Sequence, residues 1–216
     1  MTEAEWLVCT DPAAMLGVLR TRADDRKLRL FAVACCRRFW RWLDGRPSGK
    51  AVEVAERFAD GRATIAELEA ARADAQADVW EFLAKAALIT TREQSEILSD
   101  RFIAWLTEGA VGWIPFAARP TGRIAVRETV CRIVRDVFGN PFRPVHVDWS
   151  WLTWNDSTIR KIAQAIYDER RFEDMPLLAD ALEEAGCDNA DILAHCRRPG
   201  EHVRGCWVID LLLGKQ

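Results

Sequence analysis

Residues 25–43 read DRKLRLFAVACCRRFWRWL. At about 100° per residue, Leu28, Ala32, Cys35, Cys36, Phe39, Trp40, Trp42 and Leu43 share one broad face. Arg26, Lys27, Arg37, Arg38 and Arg41 fall on the opposite face, with Arg29 at its edge. That period belongs to a helix. Asp24 or Asp25 supplies the N-terminal cap, and Gly45-Arg46-Pro47-Ser48-Gly49 ends the helix and turns the chain. This is the clearest amphipathic element, and it sets the expected fold class as all-α.

The same signals recur on both sides. Residues 3–8 read as a short helical turn. Asp11-Pro12 starts a helix to about Arg22, with Asp as cap and Pro in the first turn. A helix over 51–59 stops at Asp60-Gly61. Thr64 and Glu67 form a capping box for a helix to about Leu88, and Thr91 and Glu93 open another with Ile97, Phe102 and Trp105 on its stripe. Residues 109–122 hold three Gly, two Pro, Trp113 and Phe116. They read as a loop between an N-terminal lobe (1–108) and a C-terminal lobe (123–216) of one compact unit.

Residues 123–138 read as a helix closed by Gly139. Pro141 and Pro144 force an extended segment, with a short strand bridge at Val145-His146-Val147. Trp149, Trp151, Leu152 and Trp154 follow as an aromatic knot. Asn155 or Asp156 caps a helix to about Arg171. Glu173 or Asp174 opens the next, which Gly186 closes. Asp188 or Asn189 caps a short helix to Cys196, and 205–213 forms the last one. Eight to ten helices with a Pro/Trp-rich extended segment are expected.

Bulk composition narrows the function. A net charge of -3 over 216 residues gives no general attraction to nucleic acid or acidic surfaces, so any such role needs a local patch. The acidic start lacks the basic and apolar regions of a signal peptide, and no run approaches the ~20 apolar residues of a membrane span. Seven Cys, two of them adjacent at 35 and 36, read as reduced thiols in a cytoplasmic protein. Ten Trp against one Tyr read as core fillers whose indole N–H groups find carbonyls.

The rarest chemistry gathers near the C-terminus. Cys187, His195, Cys196, His202 and Cys206 offer enough nitrogen and sulfur for a four-coordinate zinc site. Adjacent His195 and Cys196 would supply one ligand between them, and no CxxC or HxxxH spacing is present. The opposing reading makes the thiols core residues and the histidines turn-stabilising groups. A Cys–His hydrolase with Cys206 or Cys196 as nucleophile and His202 as base is the catalytic option, but no glycine-rich elbow accompanies it. No phosphate-binding glycine loop occurs. The basic face Arg26, Lys27, Arg37, Arg38 and Arg41 offers a nucleic-acid surface, and the acidic helices that follow, including Glu53, Glu56 and Glu67, offer it internal partners instead.

FGNPFRPV, AIYDERRFEDMPLLADALEEAGCDNADILAHCR and PGEHVRGCWVIDLLLGK, with MTEAEWL, the DPxxML segment and DRKLRLFAVACCRRFW, resemble an uncharacterised paralogous family of planctomycete-type bacteria. The resemblance covers both ends and most of the chain, with 60–125 less distinctive. It implies a cytoplasmic bacterial accessory protein and carries over no catalytic residues. The expected function is a non-enzymatic helical adaptor or regulatory module that binds another protein. Its surfaces are the basic face of 25–43 and the turn holding Arg197, Arg198 and Arg204, with Arg143 upstream across the loop. The alternative is a zinc-binding or nucleic-acid-associated accessory protein acting through those same places, with no membrane partner.

Overall fold

A computed structural model describes residues 1–76, 90–91 and 120–215. The fold is all-α: eleven α-helices and no strand among the described residues. The chain divides into two compact units, Met1–Arg135 and Asp136–Gln216. The loop expected at 109–122 lies outside the described residues as far as 119, and Pro120 already begins a helix. The expected helix opened by Thr91 and Glu93 also lies outside them.

In the first unit, α1 (Glu3–Val8) opens on a capping box between Thr2 and Glu5. Asp11 caps α2 (Pro12–Leu19) through the Ala13 N–H. The carbonyls left over where α1 ends are taken by Arg135, whose guanidinium donates to Trp6 O at 2.7 Å and Cys9 O at 2.6 Å. Asp24 caps α3 (Asp25–Arg37) by accepting from Lys27 N at 2.8 Å.

The helix expected over 25–43 does not run through. It breaks after Arg37 and resumes as α4 (Trp40–Leu43). Across the break the bonds become i→i+3, Phe39 N to Cys36 O and Trp42 N to Phe39 O, both 2.9 Å. The break lets cations settle on the indoles. The Arg37 guanidinium stands 4.4 Å from the Trp40 ring centre and that of Arg41 3.7 Å from Trp42. α5 (Pro47–Ala59) packs on α3 and on α6 (Ile65–Gln76), burying Val33, Cys36, Leu43, Val52 and Leu68. Gly49 makes the turn into α5 feasible, since a Cβ there would lie 2.2 Å from the Leu43 carbonyl oxygen.

α7 (Pro120–Phe138) carries the chain from one unit into the next. Gly139, at φ +65°, ends it as expected. Residues 139–148 follow without regular structure, and the strand bridge expected at Val145–Val147 does not form. Asp148 caps α8 (Trp149–Glu169), so the aromatic knot is helical as far as Leu152, while Trp154 has extended backbone. A left-handed break interrupts α8 at Asn155, Asp156 and Ser157, with φ of 44°, 55° and 59°. Asn and Asp are the residues that tolerate this region best. The break divides α8 into two helical segments, and the second begins where the cap at Asn155 or Asp156 is expected.

A 3₁₀ turn at Phe172–Asp174 leads into α9 (Met175–Glu184), with Pro176 in its first turn. Asn189 caps α10 (Ala190–Arg197), accepting from Asp191 N and Ile192 N at 3.1 Å each. α11 (Trp207–Leu213) ends on Gly214 in the left-handed conformation. α8, α9 and α11 bury Ile159, Ile166, Tyr167, Leu178, Leu182 and Ile209 together. At about 1.5–3 kcal/mol per large apolar side chain, this core holds the unit and fixes the loop between α10 and α11 that crosses it.

Candidate metal centre

The second unit encloses a group of four side chains: Asp136, His195, His202 and Cys206. All four are buried, and one ligand-type atom from each lies within 4.8 Å of all the others. Asp136 sits in the last turn of α7, and His195 in the last turn of α10. His202 lies in the loop that follows, and Cys206 stands immediately before α11.

Asp136 is the centre of the group. Its Oδ1 accepts from His202 Nδ1 at 2.6 Å and lies 3.3 Å from both His195 Nε2 and Arg198 Nη2. Its Oδ2 accepts from the Val203 N–H at 2.9 Å. Burial pushes this carboxyl up, but the hydrogen bonds of His195 and His202 lead the effects that outweigh burial and bring it down to about 2. This buried carboxylate is met by four donors, as a buried charge requires.

His195 joins the group to the start of α11. Its Nε2 is 3.1 Å from Cys206 Sγ, and its Nδ1 accepts from the Trp207 indole N–H at 2.9 Å. Burial holds the His195 imidazole below its usual range, with Asp136 pulling the other way. The Cys206 thiol is driven well above its ordinary value, first by burial and then by the Asp136 charge. It is fully buried as well. A thiol that stays protonated and has no access to solvent is a poor nucleophile, although an imidazole nitrogen lies beside it.

The expected ligand set is therefore divided. His195, His202 and Cys206 come together; Cys187 and Cys196 stand outside the group as buried core thiols. Burial and the neighbouring Cys187 raise the Cys196 thiol to about 12. The fourth member, Asp136, was missed in the sequence. A carboxylate in the last turn of a helix opposes the helix dipole, and that is the one local sign that it has another role.

The geometry fits a small tetrahedral ion in part. Bond lengths near 2 Å place the N and O ligands of a zinc ion about 3.3 Å apart. His195 Nε2 and Asp136 Oδ1 already have that spacing at 3.3 Å, whereas His195 Nε2 to Cys206 Sγ, at 3.1 Å, is short of the ~3.6 Å that a longer zinc–sulfur bond requires. The 2.6 Å between His202 Nδ1 and Asp136 Oδ1 is a hydrogen-bond length, and it opens by well under an ångström to admit an ion at those two atoms.

The proposed arginine surfaces are engaged within their own units. Arg197 Nη1 donates to Glu183 at 2.8 Å and its Nη2 to Asp180 at 2.7 Å. Arg198 reaches Asp136, and Arg204 donates to the Tyr167 carbonyl at 2.9 Å with its guanidinium 4.9 Å from the ring centre. Arg143 pairs with Asp191 at 3.2 Å. On the basic helix, Arg26 meets Asp60 at 3.3 Å and Arg37 meets buried Glu56 at 2.6 Å, while Lys27 is itself buried. Arg38 and Arg41 are exposed. No helix among the described residues is long and apolar enough to cross a membrane.

No protein-family model, curated protein or solved structure matches the chain.

Proposed function

We propose that the unit formed by Asp136–Gln216 is a zinc-binding module, with Asp136, His195, His202 and Cys206 as ligands and the metal in a structural role. The observation that carries this reading is the convergence of four buried ligand-type atoms from three separate segments within 4.8 Å. Mixed nitrogen, sulfur and oxygen donors suit zinc better than the hard oxygen-seeking cations. Four protein ligands without an open position favour a structural site over a catalytic one.

Metal analysis of protein purified without added zinc tests this. The expected content is about one zinc per chain, lost on His202→Ala or Cys206→Ala, with a lower unfolding temperature after chelation. Less than about a tenth of an equivalent, with no change in unfolding on adding zinc, overturns it.

One surface observation supports a second reading, a non-enzymatic module that binds another protein. Trp149 is 75% exposed at the start of α8, next to the irregular 139–148 segment, and Leu177 is 54% exposed on α9. Zinc would then staple the scaffold that displays these side chains. Capture of the same partners by the parent and by a Trp149→Ala variant counts against it.

A further inference from the structure

Trp207 begins α11 directly after the ligand Cys206, and its indole edge meets the His195 ring, with ring centres 5.2 Å apart at 64°. Its Nε1 donates to His195 Nδ1 at 2.9 Å. An indole nitrogen can only donate, so Nδ1 must present its lone pair. The neutral His195 ring therefore carries its proton on Nε2, the atom that faces Asp136 Oδ1 and Cys206 Sγ.

A metal needs the opposite arrangement. A ligating imidazole gives the metal the lone pair of one nitrogen and keeps its proton on the other, which normally donates to a carbonyl or carboxylate. Here the group beside that other nitrogen is itself a donor. With a metal on Nε2 and a proton on Nδ1, two N–H groups would point at each other across 2.9 Å.

Resting on the zinc reading above, we infer that Trp207 is a positioning residue that locks His195 in a metal-refusing tautomer and must swing off Nδ1 when the ion enters. The ring stays neutral throughout. The proton leaves Nε2 to water, another is taken up at Nδ1, and the indole N–H turns away. His202 likewise exchanges its Nδ1 proton, through water, for one on Nε2, and the Cys206 proton goes to water as its sulfur becomes a thiolate ligand. Its ring packs closely on Gly139, where a Cβ would lie 3.0 Å from Trp207 Cγ. Trp207 thus sets the threshold of zinc at which the module closes on its ion, and its environment reports that event.

The test compares zinc affinity in the parent and in Trp207→Phe, which keeps an aromatic ring and deletes the N–H. Competition against a chromophoric chelator gives the dissociation constants. One net hydrogen bond removed from the metal-free state tightens zinc binding about fivefold. Nitrogen-detected NMR of histidine-labelled parent protein adds a readout that needs no variant: His195 protonated on Nε2 without metal and on Nδ1 with zinc. Equal or weaker binding by Trp207→Phe overturns the inference, as does an Nδ1-protonated His195 in the metal-free parent. Absence of zinc binding in both proteins sinks the metal reading itself, and the inference with it. Zinc bound with unchanged affinity sinks the inference alone.

Discussion

Asp136 Oδ1 and His202 Nδ1 lie 2.6 Å apart although the two residues are 66 positions apart in sequence. This bond closes the loop between α10 and α11 onto the end of α7. Val203 N and Arg198 reach the same carboxylate, so the whole 198–203 segment is organised by one side chain. Asp136→Asn keeps the size and removes the charge. It leaves Arg198, His202 and the Val203 N–H to an amide whose NH₂ faces donors. The expected loss is about 3 kcal/mol in urea unfolding of the metal-free protein. The pH profile gives a second signature. With a folded value of about 2, below that of an ordinary carboxyl, the Asp136 contribution is present above about pH 4 and fades as pH falls toward 2. That acid-dependent part is absent in the variant. A loss under about 1 kcal/mol removes Asp136 from its central role.

The division of the C-terminal thiols makes a sharp comparison. Cys187→Ala and Cys196→Ala delete core thiols outside the group, so both variants retain the parent's zinc content while losing about 1–2 kcal/mol of stability through small cavities. Cys206→Ala loses the metal. Equal zinc content in all three variants, read by elemental analysis, assigns the ligand set wrongly.

Helix identity, caps and turn positions were legible in the sequence because each depends on a few neighbours. Asp11-Pro12, Asp24, Thr64 with Glu67, Gly139 and Asn189 all act where their chemistry indicates. What depends on distant partners was not legible. The 25–43 period runs unbroken in the sequence, yet the helix stops after Arg37, where that residue meets Glu56 and Trp40. Asn155-Asp156-Ser157 marks the start of the second helical segment as the sequence suggests, but the helical turns from Trp149 that precede it were not legible. Three of the four clustered side chains were visible as rare residues near each other. Asp136, in an ordinary amphipathic helix, gave only its unfavourable place at the negative end of the dipole.

Arg37 tests what the basic helix is for. Its Nη2 donates to Glu56 at 2.6 Å, and that carboxylate is almost wholly buried. Arg37→Met removes a charge beside Glu56 and costs about 2 kcal/mol, whereas Arg37→Met combined with Glu56→Met costs less than the sum of the two single changes. The cycle is read by denaturant midpoints at constant slope. Strict additivity makes the pair a surface contact without energetic weight. It returns Arg37 to the set of cations open to an external anion.

Gly139→Ala joins the fold to the site. The position has φ +65°, which an L side chain adopts with a penalty of about 1 kcal/mol. An added Cβ would also stand 3.0, 3.1 and 3.3 Å from Cγ, Cδ2 and Cδ1 of Trp207. Those are atoms near the root of a rigid ring, so the indole must shift bodily. Overpacking of this kind costs a further ~1–3 kcal/mol, and the sum is expected in thermal or urea unfolding. The ring that shifts is the one that donates to His195 Nδ1, so its fluorescence changes in the metal-free protein. Gly139→Ala that unfolds like the parent with unaltered Trp emission places the ring elsewhere and removes the packing that holds the indole against His195.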